Sequence, residues 1–163
     1  MFPSYLERLL TSLKTQGISV ALETSGYFNY DTFRRKILPN LDLIYYDLKF
    51  VDNRAHQEFT GRPNRTILQN LGRLIQDGNI RVLVRVPLVP GVTATEENLS
   101  SLIRYLRAVG ADRVLPLPYN PLGMDKYPSL GLSAPDLPQR FMRPDEEERV
   151  REILAAAGCA VPS

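Results

Sequence analysis

Four short apolar runs, each followed by a polar cluster and then by a stretch with helical spacing, decide what this chain can fold into. The runs are 18–23 (ISVALE), 41–49 (LDLIYYDLK), 80–89 (IRVLVRVPLV) and 112–119 (DRVLPLPY). Each is too short for an ordinary buried helix and has strand character, and Gly, Pro or Asn lies close to at least one end of each. Leu6, Leu9, Leu10 and Leu13 precede the first run with helical spacing, and Gly17 stops that helix. After the first run, residues 31–38 read as a helix ended by Pro39. Asp52 is placed to cap a short helix, and Leu68, Leu71, Leu74 and Ile75 line a longer one. Leu99, Leu102, Ile103 and Leu106 define the next, with Gly110 beyond it. Residues 120–143 are rich in Pro and Gly and read as an ordered loop. Pro144-Asp145 opens a last helix carrying Val150, Ile153, Leu154 and Ala157.

Regular strand–helix alternation predicts a parallel sheet covered by helices. Its crossovers wind the sheet into an arc of a barrel or into an open doubly wound sheet. Four strands do not close a barrel, so the reading leaves an open edge that a further segment or a partner would cover. The chain of 163 residues, 44% hydrophobic and 23% charged, suits one domain, 1–163, with a real core. No apolar run is long enough to span a membrane, and the start, with Glu7 and Arg8 in an amphipathic pattern, is unlike a signal peptide. Twenty basic and 18 acidic residues give a net charge of +2, spread along the chain, so no nucleic-acid partner and no membrane partner is expected. The one cysteine, Cys159, forms no internal disulfide, and a reducing, cytoplasmic setting is the simplest reading.

The polar residues gather where the runs end. The first ends in Glu23-Thr24-Ser25, the second in Asp47-Leu48-Lys49, the third carries Arg85, and the fourth leads to Tyr119-Asn120. Asp47 and Lys49 are two apart, hence on one face of a strand. In parallel α/β folds, ligands bind at the carboxyl ends of strands. Each residue also has a bland role open to it: a carboxylate after a strand caps the next helix, and a lysine there reaches water. Taken together the set favours a zwitterionic ligand, with carboxylates for an ammonium and Lys or Arg for a carboxylate. His56 is the one histidine and has no second metal ligand beside it; Cys159 reads as packed rather than reactive.

Five stretches then carry a resemblance: ALETSGY (21–27), DLIYYDLK (42–49), HQEFTGRPN (56–64), RVPLVPGV (85–92) and LPYNPLGMDKYPSLG (117–131). In order and spacing they resemble the later part of radical S-adenosylmethionine enzymes of the glycyl-radical-enzyme activating group, the pyruvate formate-lyase activating type. The last pattern is the most specific. The resemblance implies an incomplete (β/α) TIM-like barrel of about four parallel strands with outer helices, the last four units of a (β/α)6 partial barrel. It implies that the three-cysteine loop binding a [4Fe–4S] cluster belongs to a part not present here, so that this chain cannot bind the cluster and supplies no catalytic residue of its own. It implies that S-adenosylmethionine is held by Glu23, Thr24, Ser25, Asp47, Leu48 (through its backbone), Lys49 and Asn120, with Arg85 supporting the site or the target peptide. A monovalent cation between Glu23 and Asp47 is a further implication. Two positions depart from the pattern: Glu23 stands where Asp is more usual, and Asn120 where His is more usual. The family chemistry is reductive cleavage of S-adenosylmethionine to a 5′-deoxyadenosyl radical that abstracts a glycine hydrogen from a large glycyl radical enzyme. Flavodoxin or ferredoxin is the implied electron donor, and the isolated chain is expected to be inactive.

Two other readings stay open on the residues alone. One is a Schiff-base lyase on an α/β barrel, with Lys49 as amine nucleophile and Asp47 as proton shuttle. The other is a non-catalytic binding module that docks a partner at the open sheet edge.

Overall fold

The computed structural model describes residues 3–111 and 113–159. Helix α1 (Pro3–Thr15) leads into β1 (Ala21–Thr24), α2 (Tyr30–Lys36), β2 (Leu43–Asp47), α3 (Asn53–Thr60) and α4 (Arg65–Asp77). Then come β3 (Arg81–Leu88), α5 (Glu96–Val109), β4 (Val114–Pro118), the short α6 (Lys126–Ser129) and α7 (Pro144–Ala156). The four strands form one parallel sheet in the order β1-β2-β3-β4. This is the partial α/β barrel expected, with helices between successive strands. The expected last strand began at Asp112, which lies outside the described residues.

Strand alternation sorts the side chains. Ile44, Tyr46 and Leu48 of the β2 run, Val82, Val84, Val86 and Leu88 of β3, and Val114 of β4 are buried on one face. They pack with Leu10, Phe33, Leu71, Leu74, Leu99, Leu102, Leu106, Val150 and Leu154 from five helices in a single core. The opposite face carries Glu23, Tyr45, Asp47, Leu83, Arg85 and Leu115, all exposed or half-buried. Helices therefore cover one side of the sheet only, and the charged residues lie on the other.

Several boundaries differ from the sequence reading: β2 and β3 fall inside the expected 41–49 and 80–89 runs, and α2 stops at Lys36, with Pro39 inside a 3-10 turn, Leu38–Asn40. Strand β1 starts at Ala21 rather than at Ile18, because Val20 pairs with a side chain as well as with the next strand. Its N–H donates to Asp42 Oδ2 at 2.7 Å, while its carbonyl accepts from Asp42 N at 2.9 Å. The 120–143 loop contains a 3-10 turn at Leu122 and the one-turn α6, too short to leave a periodic pattern. The expected cap holds: Asp52 accepts from Ala55 N at 2.7 Å and starts α3. No helix among the described residues is long and apolar enough to cross a membrane.

Candidate functional site

The sheet register sets the site. Asp47 lies beside Arg85, and Arg85 beside Leu115, on the uncovered face. Glu23 pairs with Tyr45, one step lower on the same face. The Arg85 side chain passes over Tyr45, its Cζ 5.4 Å from the ring centroid, and reaches both acids. Its Nε donates to Asp47 Oδ1 at 2.8 Å. Its two terminal nitrogens donate to Glu23 at 2.6 and 3.0 Å, a bidentate fork. Lys49 Nζ stands 3.8 Å from Asp47 Oδ2. Two acids and two bases from three adjacent strands thus form one cluster. The Arg85 side chain is largely buried and the Glu23 side chain mostly exposed. The Asp47 hydrogen bond, the largest influence, and the Glu23 fork hold Arg85 more firmly protonated than usual, against the effect of burial.

The cluster continues into a cleft of about 320 Å³. Ser25 and Tyr27 from the loop after β1, Lys49, and His56 and Arg62 from α3 and its following turn line it. His56 is buried and bound locally: its Nδ1 is 2.7 Å from the Arg62 carbonyl and 2.9 Å from Thr60 Oγ1. Among the described residues no group of three or more His, Cys, Asp or Glu could hold a metal ion.

Of the residues singled out in the sequence, Glu23, Asp47, Lys49 and Arg85 come together, and Ser25 lines the adjoining cleft with Lys49. Thr24 lies on the helix-covered face opposite Tyr46, and its Oγ1 accepts from Gly26 N at 3.0 Å, shaping the turn. Leu48 is a core side chain whose N–H donates to the Arg85 carbonyl at 2.9 Å. Asn120 is exposed and caps its own turn, accepting from Leu122 N at 2.9 Å. The position between Glu23 and Asp47, where a monovalent cation was expected, is bridged by the Arg85 guanidinium.

Residues to which the sequence assigned no site role hold the rim. Gly26 has φ of 80°, and a Cβ there would lie 1.7 Å from Tyr46 Oη, which itself donates to the Ile67 carbonyl at 2.7 Å. Only glycine fits. Asn70 donates to the carbonyls of Gly26 and Phe28, both at 2.8 Å. Its place among Ile67, Leu71 and Leu74 on the buried face of α4 was the available signal, since a buried amide needs partners.

Fold and site together define a class: a partial α/β barrel with a charge cluster at its strand ends. The chain is 37% identical over 142 residues to the choline trimethylamine-lyase activating enzyme of Oleidesulfovibrio alaskensis, covering 83% of this chain and 44% of that protein. It is 30% identical over 153 residues to the trans-4-hydroxy-L-proline dehydratase activating enzyme of Clostridioides difficile, covering 91% and 49%. Among solved structures, a domain of pyruvate-formate lyase-activating enzyme from Bacteroides vulgatus superposes with a TM-score of 0.77 at 25% identity, covering 98% of this chain and 89% of that one. No family model matches the sequence. The chain belongs to the radical S-adenosylmethionine activating enzymes of glycyl radical enzymes, and it spans about half the length of the curated relatives it matches.

Proposed function

We propose that this chain is the portion of a glycyl-radical-enzyme activating enzyme that holds S-adenosylmethionine and faces the partner's glycine loop. The observation that carries the reading is the cluster of Glu23, Asp47, Lys49 and Arg85 at the carboxyl ends of adjacent parallel strands. The methionyl end of the cofactor brings one ammonium and one carboxylate. The Lys49 ammonium has Asp47 at 3.8 Å and no side-chain hydrogen bond among the described residues, so its N–H groups are open to a carboxylate. The exposed Glu23 and the half-buried Asp47 offer acceptors to an ammonium. Ser25 lines the cleft into which the rest of the molecule can extend, and its volume of about 320 Å³ falls in the range of small-molecule sites. These residues fit the cofactor. Arg85 orients both acids.

When bound beside its cluster in the family, the cofactor supplies the radical chemistry that removes a hydrogen from a glycine of the partner. The residues of this chain do not fit the cluster itself. The chain has a single cysteine, whereas cluster ligation takes several thiolates. The chain alone is therefore proposed not to cleave S-adenosylmethionine, and the electron donor, flavodoxin or ferredoxin, is assigned to the whole enzyme. A cytoplasmic location goes with that assignment.

Calorimetric titration of S-adenosylmethionine into the full chain tests the reading. Saturable binding is expected, weaker by about tenfold or more in Lys49→Ala, as for a lost charge-assisted hydrogen bond. No binding, or an affinity unchanged in both Lys49→Ala and Asp47→Asn, removes the cofactor site. Cleavage by the chain after iron–sulfur reconstitution removes the proposed inactivity.

A further inference from the structure

Three buried asparagines stand behind the rim, and each donates its side-chain amide to two backbone carbonyls. Asn70 holds the loop after β1, as described. Asn64 donates to Phe50 O at 3.0 Å and to Val51 O at 2.9 Å. Asn98, in the first turn of α5, donates to Lys49 O at 2.9 Å and to Thr93 O at 2.8 Å. Of the three, Asn98 binds the backbone of a cluster residue and joins two different loops.

Its position matters because the strand ladder ends just before Lys49. Strand β2 closes at Asp47, and the next rung toward β3 is Leu48 N–H to Arg85 O at 2.9 Å. Beyond that rung, the Lys49 carbonyl is held by Asn98. The amide is itself anchored to β3. Thr93 Oγ1 donates to Pro87 O at 2.5 Å and accepts from Val89 N at 2.7 Å. A line of hydrogen bonds therefore runs from Pro87 through Thr93 and Asn98 to Lys49. On the uncovered face, Arg85, Asp47 and Lys49 join the same two strands by charge.

We propose that Asn98 is a positioning residue for Lys49: it fixes the lysine backbone past the end of the sheet, so that the ammonium is aimed at the ligand carboxylate. A lysine side chain has four flexible bonds, so where its Nζ reaches depends on where its backbone is held. Orientation by residues that do not touch the ligand is a general device of binding sites. The inference deepens the cofactor-site reading and rests on it for the identity of the ligand.

The test uses the full chain with two readouts. One is S-adenosylmethionine affinity by calorimetry. The other needs no ligand: the NMR signal of Lys49 after ¹³C-dimethylation of lysines, assigned with Lys49→Arg. Asn98→Ala is expected to weaken binding about tenfold, the effect of about one hydrogen bond, and to shift or broaden the Lys49 signal. Tyr105→Phe is the control, since it removes a half-buried donor to Leu68 O on the helix side. It should lower the melting temperature while leaving affinity and the Lys49 signal in place. Thr93→Val removes the anchor one step away and should move the Lys49 signal in the same direction as Asn98→Ala, by less. A Lys49 signal that Asn98→Ala moves no more than Tyr105→Phe does overturns the proposal. Should Asn98→Ala not fold, an unmoved Lys49 signal in Thr93→Val overturns it. If the unmodified chain binds no S-adenosylmethionine, the cofactor reading falls, and the Lys49 signal still decides the positioning role.

Discussion

The strand-end rim and the segment between β4 and α7 both follow the sheet, yet they are held by different means. The rim loops are tied from behind by Asn64, Asn70 and Asn98, which are 2%, 4% and 8% exposed. The later segment exposes Leu122, Leu130, Leu132 and Phe141. Near α7 it is anchored by charge at the surface: Arg140 forks onto Glu146 with two bonds of 2.7 Å, and Glu146 also accepts from Arg143 N at 2.9 Å. A buried amide bond depends little on salt or pH, because neither partner titrates and water is excluded. A surface ion pair depends on both. The comparison teaches that this chain fixes the loops that carry the charge cluster with buried amides, and adds to the buried Met124 of the later segment surface contacts that solution conditions can loosen.

Four changes would break or sharpen that contrast. The largest effect is expected from Gly26→Ala, which combines a left-handed backbone with collision against Tyr46. It should cost about 5 kcal/mol, near the upper end of those two penalties together, measured by urea denaturation. Leu71→Ala, under the rim in the shared core, should cost about 3 kcal/mol by the same measurement. Glu146→Gln tests the surface anchor through pH. The Arg140 hydrogen bond, then the Arg143 N–H, lower the Glu146 pKa from 4.5 to about 2. A lowered folded pKa means the stabilisation is present above about 4.5 and is lost as pH falls toward 2. The variant should be slightly less stable than the parent in the neutral range and converge with it as pH falls toward 2, flattening that part of the acid-unfolding profile, as followed by circular dichroism. Leu130→Ser, on the exposed segment, should change stability by less than about 0.5 kcal/mol. A large loss there would mean that the segment is as firmly built as the rim.

The strands and most helices were legible because their signals are local: apolar spacing, Asp52 as a cap, Gly110 as a stop. The pairing of Asp47 with Lys49 on one face was legible for the same reason, since strand alternation follows from position alone. The Arg85 fork was not. It depends on register between strands, which places Glu23 one step below Asp47 on the face that Arg85 shares. The reach of Asn98 to Lys49 spans 49 residues and has no local signature. Asn120 was legible and was read otherwise: Asn-Pro opens turns, and the side chain does cap Leu122.

The Arg85 fork has a consequence for what the site can accept. Both acids are already answered by one guanidinium that stays charged across the ordinary pH range. A guest that brings only a positive charge would compete with Arg85 for the acids and offer the guanidinium no anion in return. A guest that brings both signs offers the guanidinium a new anion as it takes the old one, so entry becomes a swap of partners with the charge balance unchanged. On the proposed reading, the resting cluster would thereby favour amino acid-like molecules over plain amines before any guest has arrived.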